Sequence, residues 1–254
     1  MTRNIALKLS YDGTNFHGWQ TQANSTTIQS TLLSAANSLF NEEVKLIGCG
    51  RTDAGVHAKK YFASIKTTST IPTERISYAL NSMLPNSISI SGAAEVSDDF
   101  HPVHSCIKKE YSYFLYTDKV RNPFLDNRAL HYRFPFDIEK LRDGARHFIG
   151  THDFSAVRSL GTPVKSTVRT IYDCEVSEKG GYITIRISAN GFLYNMARAI
   201  VGTLLDVASG KISPDDIAAI LESGDRSRAG ATAPAYALYM TDVIYPPKFG
   251  LDSI

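Results

Sequence analysis

The sequence predicts an α+β fold in two halves. Short β-prone runs alternate along the chain with segments of helical periodicity, and turn signals separate them. Between them, residues 117–136 hold Pro123 and Pro135 and little periodicity, the expected connection between a half spanning 1–116 and a half spanning 137–254.

Taken in order, Ile5–Ser10 is apolar and β-prone until Asp12-Gly13 interrupts it as a turn. Thr26 or Thr27 can cap a helix over Ile28–Phe40, where Ile28, Leu32, Leu33, Ala36 and Leu39 recur at helical spacing. Val44–Cys49 reads as a strand that runs into the glycine-bounded loop GCGRTDAGVHA. Strands follow at Tyr61–Lys66, Ile88–Val96 and Tyr111–Tyr116, with a capped helix at Thr73–Leu84. In the second half Asp137 can cap a helix to Phe148, strands are expected at Val168–Val176 and Tyr182–Ser188, and a long helix at Phe192–Val207. A last helix should start at Ser213-Pro214, serine as cap and proline in the first turn, before a closing strand at Tyr239–Tyr245.

The 254 residues, 43% hydrophobic and 20% charged, lie in the ordinary globular range, which excludes wholesale disorder and fibrous repeats. No window approaches a membrane span, and no export signal is read at the N-terminus. Cys49, Cys106 and Cys174 are widely spaced and odd in number, so a reducing cytoplasm is the expected location. Lys and Arg exceed Asp and Glu by 27 to 25, too little by itself to announce a nucleic-acid partner. Distribution says more: Phe154–Tyr172 holds Arg158, Lys165 and Arg169 and no acid, and Lys59-Lys60 and Lys108-Lys109 form local pairs.

Three features carry candidate chemistry. Gly48, Gly50 and Gly55 bracket a loop that presents Arg51 and Asp53 together; an aspartate there either closes an Asx turn or stands at a cleft as nucleophile or base. Arg198 lies among apolar neighbours on every side of its helix, so it needs a polar partner, and a carboxylate such as Asp53 would fit. Tyr111 and Tyr113 share one face of a strand that begins with lysines, an arrangement for core packing or for stacking a base. Tyr11, Phe16 and Trp19, in YDGTNFHGWQTQ, are core filler or an RNA-contacting lip. His57, His101, His104 and Cys106 offer metal-ligating types, but their spacing matches no zinc motif, and no metal is expected.

In order along the chain, YDGTNFHGWQTQ, GRTDAGVHA, KKEYSYFLY, GTHDFSA, GFLYNMARAIVG and RAGATAPAYALYMTDVIYP resemble the successive motifs of the TruA family of tRNA pseudouridine synthases. The resemblance implies two similar halves with antiparallel sheets meeting at a central catalytic cleft, and a homodimer that binds tRNA across both subunits. It implies isomerisation of uridine to pseudouridine at positions 38, 39 and 40 of the anticodon stem-loop, without a cofactor. Asp53 matches the essential aspartate, Tyr111 the active-site tyrosine, Arg198 the basic partner of that aspartate, and Arg51 the arginine implicated in displacing or replacing the flipped base. Arg158, Lys165 and Arg169 are the further expected RNA contacts. Val103, Cys106 and Ala237 depart from the pattern, where arginine, alanine and glycine are usual, and leave room for a related enzyme acting on another RNA such as ribosomal RNA, or for a non-catalytic RNA-binding protein.

Overall fold

The computed structural model describes residues 2–161 and 163–254 and shows an α+β protein. The chain forms two compact units, Met1–Lys108 with Tyr239–Ile254, and Lys109–Leu238.

In the first unit β1 (Arg3–Tyr11) lies between β3 (His57–Thr67) and β4 (Ile88–Val96), antiparallel to both. Ile5, Leu7 and Leu9 are buried, and so are Ile65 and Phe62 of β3, as central strands covered on both faces require. The short β2 (Lys45–Gly48) pairs antiparallel with the far end of β3, while β10 (Leu238–Ile244) pairs parallel to its start, Tyr239 opposite His57. Helix α1 (Ile28–Phe40) begins where its sequence predicts, with Thr27 and Ser30 closing a reciprocal capping box. Helix α2 (Thr73–Asn81) is shorter than the expected Thr73–Leu84 and has no side-chain cap, since Pro72 precedes it. It is pinned to β4 instead: the Asn81 amide both donates to and accepts from the backbone of Ile90, each at 2.8 Å. Phe100, Tyr245 and Phe249 pack edge-to-face and join the C-terminal segment to this core.

The second unit holds an antiparallel sheet in the order β5 (Lys108–Tyr116), β9 (Tyr182–Ala189), β8 (Val168–Lys179), β7 (Gly150–Asp153). The connection over 117–136 is more ordered than its composition suggests. It contains a 3₁₀ turn at Pro123–Leu125 and a two-residue strand, β6 (Leu130–His131), parallel to β5, with His131 stacked on Tyr116. Helix α3 (Ile138–Arg146) is capped by Asp137 as expected. Helix α4 (Met196–Ala208) starts four residues later than the expected Phe192, because Asn195 turns left-handed at φ 59°. Helix α5 (Asp216–Ser223) likewise begins beyond Ser213-Pro214: Ser213 is no cap, and its N–H is taken by the Asp216 carboxylate at 3.2 Å. A Cβ on Gly144 would lie 3.2 Å from Ile217, Leu204 and Val207, so glycine sets the close packing of these three helices.

Candidate active site

The Asp53 loop is anchored from two directions. Asp53, Ala54, Gly55 and Val56 form a β-turn closed by the Val56 N–H on the Asp53 carbonyl (3.1 Å), with Gly55 at φ 80° in the third position. That is the type II position at which an L side chain is strained. The segment Tyr11–Trp19 lies against this turn at backbone distance: a Cβ on Gly13 would sit 2.0 Å from the Val56 carbonyl oxygen, and one on Gly18 2.4 Å from that of Thr52. The Trp19 N–H donates to the Thr52 carbonyl (3.1 Å), and the buried Tyr11 hydroxyl meets the Thr52 hydroxyl at 2.8 Å.

Below the loop, Trp19 stacks on Tyr61 with centroids 4.2 Å apart, and the Tyr61 hydroxyl donates to the Gly50 carbonyl. Glycine is required at 48, because a Cβ there would lie 2.2 Å from that hydroxyl. Tyr11, Phe16 and Trp19 are all buried and form the packed base of the loop. Above this base Asp53 is half-buried and Arg51 exposed. Beside them opens a cleft of about 400 Å³, lined among others by Trp19, Gln20, Gln29, Arg51 and Val103.

The imidazoles near the loop have structural partners. His57 is buried, stacks on Tyr239, and turns Nδ1 toward the Gly13 N–H and the Asp12 carboxylate, both at 3.1 Å. His101 Nδ1 accepts from the backbone of Val103 and His104, and Cys106 donates to the Lys108 carbonyl. Among the described residues no cluster of three or more His, Cys, Asp or Glu is arranged to hold a metal ion.

The second unit carries Tyr111 and Arg198. Tyr111 on β5 is 7% exposed and is braced edge-on by Phe192, with centroids 4.8 Å apart. Tyr113, two residues along, is fully buried, and its hydroxyl finds no hydrogen-bond partner among the described residues. Burial drives its ionisation far above the usual tyrosine range; Tyr236 adds to the rise and Arg198 opposes it.

Arg198, in the first turn of α4, has polar partners that helical periodicity does not disclose. Its Nε donates to the Ala233 carbonyl (2.7 Å) and a terminal nitrogen to Asn195 Oδ1 (2.9 Å). The carbonyl is brought there by a strap, residues 229–233, that crosses α4 backbone to backbone. A Cβ on Gly202 would lie 1.6 Å from the Ala231 oxygen, and one on Gly230 2.5 Å from the Gly202 oxygen. The Gly230 N–H donates to Thr203 Oγ1 (3.0 Å), the Ala233 N–H to the Arg198 carbonyl (3.1 Å), and Arg226 binds the Gly230 carbonyl and Thr232. The glycine one turn after Arg198, paired with RAGATA, is the sequence trace of this crossing.

Of the expected RNA contacts, Lys165 is exposed and Arg158 half-buried. Asp153 is held below the usual carboxylate range by its bond with the Ser155 hydroxyl first, with a smaller contribution from the charge of Arg158. Arg169 spends a terminal nitrogen on the carbonyls of Ser166 and Val168 (2.9 and 2.6 Å), and burial pulls its pKa below the arginine norm. Arg51 and Asp53 belong to the first unit; Tyr111, Arg158, Lys165, Arg169 and Arg198 belong to the second.

Comparison with known proteins is concordant along the chain. A family described as tRNA pseudouridine synthase matches residues 8–104 and 145–246. Proteins named tRNA pseudouridine synthase A from Caldicellulosiruptor saccharolyticus and Thermoanaerobacter sp. (strain X514) are 48% and 46% identical, over 96% of this chain and 100% of theirs. One of the same name from Bacillus subtilis (strain 168) is 42% identical over 95% of this chain and 98% of its own. With the Asp53 turn and the Arg198 helix both inside the matched segments, the chain belongs to the tRNA pseudouridine synthase family.

Proposed function

We propose that this protein isomerises uridine to pseudouridine in the anticodon stem-loop of tRNA, at positions 38, 39 and/or 40, with Asp53 as the catalytic residue. The observation that carries the reading is the near-full-length identity to proteins named for this reaction, together with a half-buried carboxylate on a turn that glycines hold rigid. The reaction breaks the bond between uracil N1 and the anomeric carbon, turns the base, joins C5 to that carbon and releases the C5 proton, while N1 takes up a proton. No electrons are gained or lost. A carboxylate can serve it by attacking the anomeric carbon or by removing a neighbouring sugar proton to give a glycal.

In this reading Arg198 keeps Asp53 ionised and oriented, and Tyr111 holds the uracil by stacking while it turns. Arg51 fills the space of the flipped base; Arg158, Lys165 and Arg169 meet phosphate oxygens. Unstacking the target costs a few kcal/mol, which stacking and phosphate contacts offset.

The test is tritium release from tRNA transcripts labelled at uracil C5. Wild-type protein is expected to release label that disappears when the anticodon-arm uridines are replaced. Asp53→Asn should lower the rate by at least about 10⁴-fold while RNA is still bound. Release that survives Asp53→Asn, or that ignores the anticodon-arm uridines, would overturn the assignment.

The reading includes a homodimer acting on tRNA across both subunits. Sedimentation at micromolar concentration should then report twice the 27.9 kDa chain mass, and a single chain mass there would remove that part.

A further inference from the structure

Asn195 stands directly before α4 with its backbone left-handed at φ 59°, a conformation asparagine tolerates better than most residues. Side-chain capping goes with an extended backbone at the residue before the helix, which the left-handed Asn195 lacks, and its side chain makes no bond to the first N–H groups of α4. Its oxygen accepts from a terminal nitrogen of Arg198 (2.9 Å), and its nitrogen donates to Ser159 Oγ (2.8 Å). The orientation of the amide follows from chemistry, because a guanidinium offers donors alone and must face the oxygen. Ser159 is itself tied to the same turn, its N–H donating to the Tyr194 carbonyl at 3.0 Å.

We propose that Asn195, held by Ser159, is a positioning residue for the guanidinium of Arg198, an inference that rests on the role given to Arg198 above. The guanidinium is planar. Fixing Nε on the Ala233 carbonyl and a terminal nitrogen on Asn195 fixes both its plane and the direction in which its remaining N–H groups point. The strap supplies one of these two points and Asn195 the other. Electrostatic assistance to a reacting group depends on such placement, and a displacement of about 1 Å can cost on the order of a hundredfold in rate. The left-handed backbone thus has a use: it goes with an amide that bonds the arginine and not the helix end.

The experiment compares single-turnover rates and RNA affinity on a C5-labelled anticodon stem-loop for wild type, Asn195→Gly, Ser159→Ala, Arg198→Lys and the double variant Asn195→Gly/Arg198→Lys. Glycine keeps the left-handed backbone accessible, and Ser159→Ala leaves Asn195 in place. Asn195→Gly is expected to lower the rate about tenfold to a hundredfold with affinity nearly unchanged, and Ser159→Ala to lower it less. In the Arg198→Lys background, where no guanidinium remains to orient, Asn195→Gly should cost no more than about a further twofold. Additive losses in that background, a fall in affinity that matches the fall in rate, or an unchanged rate in either single variant would overturn the inference. Absence of turnover by wild type would instead remove the functional reading beneath it.

Discussion

Cys174 on β8 is 4% exposed, and burial, aided by the charges of Asp173 and Glu175, pushes its thiol up to about 12. In the unfolded chain the thiol ionises near its ordinary pKa of about 8.5. Between those values the unfolded state binds fewer protons than the folded one, so this group's contribution to stability falls as pH rises from about 8.5. Urea midpoints measured from pH 7.5 to 10 should therefore decline more steeply for wild type than for Cys174→Ala. Parallel declines would show that the thiol is not protected.

At the same scale, Arg198 shows what residue type and spacing convey. That an arginine surrounded by apolar helix positions needs a polar partner follows from the sequence. That two partners are the Ala233 carbonyl and the Asn195 amide does not, because both arise from a backbone crossing and a left-handed residue that periodicity ignores. Trp19 is the converse case: an aromatic in a polar, glycine-rich tract has no pattern to place it, and its burial depends on Tyr61, far along the chain.

Helix α4 and the strap over it make the clearest prediction for an element. An alanine in a helix interior usually stabilises relative to glycine by about 1 kcal/mol. At Gly202 the sign should reverse, since the added Cβ would meet the Ala231 carbonyl at 1.6 Å and neither partner is a side chain that can swing away. Gly202→Ala is expected to destabilise by about 3 kcal/mol in chemical denaturation, and a neutral or stabilising result would mean the strap lifts freely.

Long elements are legible where local signals agree: cap and helical apolar spacing in α1, a β-prone run in β4. The sequence does not mark β7 as a strand, since Gly-Thr-His-Asp has a single β-branched residue and no apolar alternation and takes its form from pairing with β8. The starts of α4 and α5 lie beyond the positions the sequence predicts for a related reason. Turn residues preceding each helix carry helix-like composition while their backbone is committed to other bonds.

For the whole molecule, the first unit is discontinuous: residues from Tyr239 onward return to complete it, through β10 beside His57 and through Tyr245 and Phe249 against Phe100. A chain ending at Leu238 keeps all of residues 1–108 and should still fail to form that unit. Trp19, the sole tryptophan and 3% exposed, reports it directly. The truncated protein is expected to show solvent-exposed tryptophan emission alongside residual secondary structure, whereas a native emission spectrum would show that β10 is dispensable.

The return of the chain also orders its birth. A ribosome releases residues 1–108 first, but that segment lacks the strand and the aromatic residues that close it until residues 239–254 have also emerged. The later segment, Lys109–Leu238, is continuous and can become compact while the earlier one waits. During that interval the start of β3, which β10 will cover, lacks its strand partner, so in a crowded cell the arrival of residues 239–254 closes an edge open to misassembly.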